Sequence, residues 1–336
     1  MSFEQNKLLK IEDPEYFAAD AISNSDLSIF KDQGAKAFYE SKILKLKSVD
    51  DSAKSNFDFG SLCHLRILEP DKVDGKVVLF DGSRPTSENE LRFAHLVQKG
   101  VTIEEAYTQC YSVKGKTDKV IATEATNRYD KLCGYINAIE EEKAGKLVIS
   151  TDTWDKSSRL VESYLTNPFV VQFKELANET YNEYAVFWKE AEDLELKAKI
   201  DQLVVDHKNK CIYHIDLKTT SKTNAVGFKS SIFSYNYHTQ AAHYRAGVMS
   251  IPYFKNLINT GYQLLTFIVA LDKVYYSCRV YQMGPSLVQS GQAARFWALK
   301  KIETMFKYYK ETNYNPFAWN EDLYFEKPEV IDVSEE

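Results

Sequence analysis

The sequence predicts an α/β fold, a central mixed β-sheet flanked by helices with helical additions at the N-terminus, and three observations predict it. Two short apolar runs, residues 200–205 and 211–217, are rich in β-branched side chains and joined by the charged tetrad His207-Lys208-Asn209-Lys210, which reads as a hairpin. Segments of helical periodicity, opened by Ser or Asn or bounded by Pro, stand on both sides of that hairpin. A chain of 336 residues with 44% apolar content also buries a large core, and no long stretch reads as low-complexity. The expectation is one elaborated domain over residues 1–336: N-terminal helices at 20–70, a mostly helical insertion of unknown role at 76–168, the sheet core with its flanking helices at 180–310, and a tail at 311–336.

The elements follow in order. The first residues, MSFEQNKLLKIEDPEY, contain no apolar leader region, and no window approaches the ~18 uninterrupted apolar residues of a membrane span, so the expected location is cytoplasmic, without membrane partners. Ser23-Asn24-Ser25-Asp26 supplies N-cap candidates for a helix through Leu27, Ile29, Phe30, Phe38 and Tyr39. The basic run at 42–47 reads as a solvated face or a phosphate contact. After a polar linker, Phe57, Gly60, Ser61, His64 and Leu68 share one side of a second helix, which Pro70 stops. Gly60 costs about 1 kcal/mol there relative to Ala, which points to close packing. His64, one turn on, is either a satisfied core histidine or a ligand.

Residues 76–80 suit a short strand, Ser83-Arg84-Pro85 a turn, and 103–111 and 123–143 helices, the latter through Tyr129, Leu132, Cys133, Ile136 and Ile139. Lys114-Gly115-Lys116 between them is a phosphate contact or a plain loop tip. Another helix fills 151–167, through Trp154, Leu160, Val161, Tyr164 and Leu165, and Pro168 follows it. The sheet is expected to begin at 183–188, with Glu183 at the start of that strand as either a surface acid or an auxiliary one. The hairpin follows, then a turn through Ser221, Lys222, Thr223 and Asn224. A helix then carries Gln240 and Tyr244 on one face, kept slim by Ala241 and Ala242. Residues 263–270 and 275–281 make a second hairpin around Leu271-Asp272-Lys273. Gly284-Pro285 opens a helix over 286–310, whose Phe296, Trp297, Leu299, Ile302, Met305 and Phe306 are expected in the core. Trp319 and Tyr324 in the tail suit a packing strap or an oligomer contact.

Chemistry concentrates in the first hairpin. With Asp206 opposite Cys211, counting back along an antiparallel ladder puts Asp201 across from Asp216. Two carboxylates at the roughly 5 Å of opposed strands repel by about 3 kcal/mol at an effective dielectric of ~20. A bridging Mg²⁺ or Mn²⁺ reverses that sign, and Lys218 adds a cation on the same strand face. A solvated hairpin with ordinary surface charges fits the bare spacing as well. The net charge of −6 excludes a protein that coats nucleic acid by bulk electrostatics, so contact with DNA requires a local groove. Five cysteines without a C-x-x-C pair make zinc ribbons, iron–sulfur sites and a disulfide framework poor readings.

Asp201 followed by Asp216-Leu217-Lys218 resembles the signature of the PD-(D/E)xK nuclease superfamily, with Ile200 where proline is usual and Asp as the second acid. Gly60-x-x-x-His64 before it and Gln240-x-x-x-Tyr244 after it complete a pattern similar to the RecB-type motif set. The serine-opened first helix looks most like the phage and prophage RecE-like (exodeoxyribonuclease VIII-like) branch. The resemblance implies metal binding by His64, Asp201, Asp216 and the Leu217 carbonyl, with one or two Mg²⁺ or Mn²⁺ per site. It further implies Lys218 at the attacking water, a helping Glu183, and DNA contacts through Gln240, Tyr244 and Lys222. The implied activity is 5′-to-3′ digestion of linear duplex DNA, feeding a single-strand-annealing protein, with ring-shaped oligomers among relatives. The alternatives are a single-strand exonuclease or structure-specific endonuclease of the same superfamily, a non-catalytic DNA-binding protein on that fold, and a carboxylate-only hydrolase.

Overall fold

The computed structural model describes residues 3–46, 54–191 and 194–318, with side chains except at 54–58 and 191. Trp319 and Tyr324 lie outside the described residues. The chain divides into two compact units, one of Met1–Asp51, Asn167–Leu271 and Arg279–Glu336, the other of Ser52–Thr166 and Asp272–Cys278.

The first unit opens with α1 (Asp13–Ala18) and α2 (Asn24–Phe38). Ser23 starts α2 through a capping box: its hydroxyl accepts from the Asp26 N–H at 3.4 Å while its own N–H donates to the Asp26 carboxylate at 2.7 Å. Leu27, Phe30, Ala35 and Phe38 form the buried stripe of that helix.

The second unit contains α3 (Lys54–Leu68), α4 (Val73–Lys76), β1 (Val77–Phe80), α5 (Glu88–Gln98), α6 (Ile103–Cys110), α7 (Asp118–Lys143), β2 (Leu147–Ser150) and α8 (Thr151–Leu165). β1 and β2 pair in parallel. Phe93 of α5, Ala106 and Tyr107 of α6, and Leu132, Ile136 and Ile139 of α7 close a core of their own. Lys116 is engaged locally, with the Glu124 carboxylate at 2.5 Å and the Tyr107 hydroxyl at 3.1 Å.

The chain then returns to the first unit with α9 (Pro168–Leu176), β3 (Glu179–Ala191), β4 (Leu194–Asp206), β5 (Cys211–Thr220), α10 (Ala225–Ser234), α11 (Tyr237–Ser250), α12 (Pro252–Asn259), β6 (Gln263–Asp272), β7 (Cys278–Gln282) and α13 (Pro285–Thr312). Pro168 starts α9: it occupies the first turn, where no N–H is needed, and the Asn167 side chain accepts from the Phe169 N–H at 3.0 Å. The mixed sheet runs β3-β4-β5-β6-β7. β3, β4 and β5 pair antiparallel, and the Gln263 N–H that begins β6 bonds Lys210 O beside the start of β5. Ahead of α1, Leu9 exchanges backbone bonds of 2.8 and 2.9 Å with Ala185 of β3, and Asn6 N–H donates to Phe187 O.

Trp188, Leu196, Ile200, Leu203 and Ile212 of the sheet pack with Phe30 and Phe38 of α2 and Leu299, Ile302 and Met305 of α13. α11 lies close on β3, because a Cβ at Gly247 would come 2.8 Å from Val186 Cγ1 and 3.0 Å from Trp188 Cζ3. Phe296 and Trp297 do not join the core: they are 57% and 63% exposed. The buried stripe of α13 repeats through Arg295, Ala298, Leu299, Ile302 and Met305, and positions 296 and 297 fall off it. Lys197 of β4 is buried, its ammonium donating to Tyr16 O and Ala19 O, each at 2.8 Å. Among the described residues no helix is long and apolar enough to cross a membrane, and the five cysteines are free thiols.

Candidate active site

The β4–β5 turn sets the register on which the site depends. The Asp206 carboxylate accepts from the Asn209 N–H at 2.9 Å, the Asn209 amide at 2.7 Å and the Tyr213 hydroxyl at 3.1 Å, which fixes the four-residue loop. From Asp206 opposite Cys211 the ladder steps down to Gln202 opposite Ile215. Asp201 and Asp216 stand just beyond this last backbone pair. There the side chain takes over from the ladder, and Asp201 Oδ2 accepts the Leu217 N–H at 2.7 Å. This bond ties the carboxylate to β5 and supplies a fixed donor to its charge.

Lys218 follows Asp216 by two residues and so shares its face. Its ammonium lies 2.7 Å from Asp216 Oδ2. Burial works to lower the Lys218 pKa, but the Asp216 and Asp201 carboxylates outweigh it and hold the group above the ordinary lysine range. Lys218 is therefore a cation at neutral pH. Asp201 shows the opposite balance: burial raises its carboxyl above the usual range although Lys218, the Leu217 N–H and Lys199 all pull it down.

Glu183 is not at the start of its strand. β3 begins at Glu179, and Glu183 lies between the pairs Asn182–Gln202 and Tyr184–Ile200, facing Asp201 across the ladder. Its φ of 56° is left-handed, which for a non-glycine residue costs of order 1–3 kcal/mol and persists only where its surroundings over-determine it. The return is proximity, since Glu183 and Asp201 each offer a carboxylate oxygen within 4.8 Å of the other. The core slips at the same place: buried positions run Leu194, Leu196, Ala198, Ile200 and then Leu203, Val205, so the period-two alternation shifts by one around Asp201 and Gln202. Lys199 holds Glu183 Oε2 at 3.1 Å and also pairs with Asp13. Sequence reading missed Lys199, although its spacing of two from Asp201 on a strand was a usable signal.

α11 brings Gln240 and Tyr244 to this face, and the Gln240 amide donates to the Tyr244 hydroxyl at 3.0 Å. Burial, then the charges of Asp201 and Asp216 among others, drive the Tyr244 pKa well up, so the phenol stays neutral. Tyr237, a turn earlier and also unanticipated, lies under Lys218, whose Nζ is 5.3 Å from the ring centroid. His214, two residues before Asp216, is fully buried with Nδ1 3.4 Å from Thr266 Oγ1. Burial, then Arg245 and Lys218, push its pKa down to about 3, so it is a neutral spacer behind the site. Lys222 is exposed in the loop after β5. His64 is half-buried on α3 of the second unit.

The first unit thus gathers Glu183, Asp201, Asp216, Lys218, the Leu217 amide, Gln240 and Tyr244. Such a set of hard carboxylate oxygens beside a fixed ammonium suits a divalent cation and a phosphate. Over residues 27–314 the sequence matches the PDDEXK-like domain of unknown function designated DUF3799. No curated protein matches the chain. Among solved structures, a candidate exonuclease from Eubacterium rectale is 12% identical, with a TM-score of 0.43, over 87% of this chain and 86% of that one.

Proposed function

Because the chain belongs to the PDDEXK-like family DUF3799, matched over residues 27–314, we propose that it is a divalent-metal-dependent deoxyribonuclease with Asp201, Asp216 and Lys218 at its centre. The observation that carries the reading is the convergence of Glu183, Asp201 and Asp216 with one protonated lysine at the end of a β-ladder. A half-buried Asp201 whose carboxyl is held above its usual range is an oxygen ligand that nearby positive charge would favour, which fits Mg²⁺ or Mn²⁺. In this proposal Asp201, Asp216 and the Leu217 carbonyl hold one or two such ions, with Glu183 as a further carboxylate.

When bound, the ion supplies Lewis-acid charge to the phosphate and to the leaving 3′ oxygen. Lys218, held protonated by Asp216 and Asp201, does not act as a base. It would orient the attacking water and favour hydroxide at that position, the water's proton passing to solvent, and its positive charge would offset the charge that grows on a non-bridging phosphate oxygen in the transition state. The neutral Tyr244 hydroxyl, oriented by Gln240, positions the strand, and Lys222 reaches a phosphate outside the centre.

The finer part of the proposal is 5′-to-3′ action on the ends of linear duplex DNA in the cytoplasm, supplying single strands to an annealing protein. A homo-oligomeric ring would make that action processive. The serine-opened, capping-boxed α2 and the order of the four motifs support this RecE-like reading. The test is digestion of 5′-labelled linear duplex beside covalently closed circular duplex, with Mg²⁺ or with EDTA. Metal-dependent loss of the linear DNA alone, with early release of labelled mononucleotide, is the expected result. Cutting of the circle would replace it with an endonuclease, and inertness on both substrates with intact binding would leave a DNA-binding protein.

A further inference from the structure

Next to Lys218 stands a pair of rings that the chemistry above does not use. Tyr237 lies beneath the Lys218 ammonium, and Tyr235 stacks on Tyr237 with centroids 5.6 Å apart and planes within 29°. Tyr235 is 65% exposed, an unusual state for an aromatic side chain this close to buried charges. The residue between them explains the arrangement. Asn236 is buried with φ 55°, a left-handed conformation that Asn tolerates better than most residues.

Three hydrogen bonds from α2 hold Asn236 there. Lys31 Nζ donates to its Oδ1 at 2.6 Å, and its Nδ2 donates to both Asp32 oxygens at 3.1 and 2.8 Å. A local backbone cost is therefore met by contacts from a distant helix, and its product is a ring kept stacked and open to solvent. Over-determined strain of this kind collects at ligand clamps. Phe233 at the end of α10 is 46% exposed, with its ring 5.1 Å from that of His238.

We propose that Tyr235, stacked on Tyr237 by the left-handed Asn236, is a platform for an unpaired nucleobase of the strand whose phosphate lies at Lys218. This rests on the nuclease reading for the position of the phosphate. Two features select a base over an apolar partner. A base offers a π-face of matching size, and the phosphate attached to it reaches the only cation in contact with the ring pair, Lys218, among the described residues. The platform is sequence-tolerant, because every base stacks.

The experiment uses the full chain carrying Lys218→Ala, which slows cleavage, in EDTA, and a single-stranded oligonucleotide with 2-aminopurine at successive positions from its 5′ end. Stacking quenches 2-aminopurine fluorescence. Quenching at one or two positions, lost when Tyr235→Ala is added and retained with Tyr235→Phe, is the expected result, with binding weakened about 5- to 100-fold by the Ala change. Tyr235 is exposed, so neither change disturbs packing, and circular dichroism verifies the fold. Equal quenching with Tyr235→Ala overturns the platform. The parent chain is tested separately for cleavage: an inert parent that still shows Tyr235-dependent quenching removes the nuclease reading and keeps the platform, whereas an active parent with Tyr235-independent quenching does the reverse. Failure of the oligonucleotide to bind at all overturns the platform and leaves the nuclease reading to the cleavage test.

Discussion

Asp201→Asn is expected to stabilise the metal-free protein and to remove most of the stabilisation that Mg²⁺ confers. The substitution keeps an oxygen for the Leu217 N–H, which Asp201 now accepts at 2.7 Å, and deletes one charge from a crowded face. With carboxylate oxygens of Asp201 and Glu183 within 4.8 Å, their mutual repulsion when both are ionised is about 3.5 kcal/mol at an effective dielectric of ~20. Lys199 and Lys218 offset about half of it, leaving roughly 1–2 kcal/mol, or about 1.5–3 °C in Tm. The direction follows from Asp201 itself, whose folded carboxyl lies above its ordinary range, chiefly through burial. A group raised in this way contributes its full stability in acid and loses it as pH rises through the folded value. The parent should therefore lose stability on neutralisation over a range where the variant does not. Saturating Mg²⁺ should add about 2.7 kcal/mol to the parent at a hundred times Kd, and far less to the variant. Urea unfolding followed by tryptophan fluorescence, in EDTA and in Mg²⁺, reads both effects. A variant less stable than the parent in EDTA would refute the view of this face as charged in advance for a cation.

Lys218→Ala should slow cleavage by about 10²–10³-fold while DNA binding in EDTA persists, as measured on labelled duplex; parental rates would exclude Lys218 from the chemistry. Gly247→Ala should cost about 1–3 kcal/mol, because the new methyl meets Val186 and Trp188 at 2.8 and 3.0 Å, and an unchanged unfolding midpoint would contradict that packing. Burial and Lys42 lower the Lys197 pKa to about 8 from 10.5, so the unfolded chain binds more protons between those values and the parent gains stability as pH rises through them. Lys197→Met should lack that gain, and identical pH profiles for the two proteins would count against a strained ammonium.

The parts legible in the sequence were those fixed by local chemistry. Ser23 and the acid three residues on mark a helix start, the tetrad at 207–210 sets the hairpin, and period two puts Lys218 on the face of Asp216, whereas the one-residue shift of the core alternation around Asp201 is not legible in the sequence. Glu183 was misplaced because its left-handed backbone is imposed by pairing on β3 and β4 and by the cluster it joins, none of which leaves a mark in composition. Phe296 and Trp297 were assigned by hydrophobicity where the stripe through Leu299, Ile302 and Met305 already excluded them. The ring pair at Tyr235 and Tyr237 depends on bonds from residues about two hundred positions away, which one sequence does not disclose.

The sheet order leaves β3, the strand that presents Glu183, at the rim, where a row of unsatisfied backbone groups would invite another chain to pair. Residues 6–9 occupy part of that row through Asn6 and Leu9. The opening of the sequence thus serves as a guard against edge-to-edge association. A chain that began after it would keep every proposed catalytic side chain of the first unit and yet present the Glu183 strand as a template for aggregation.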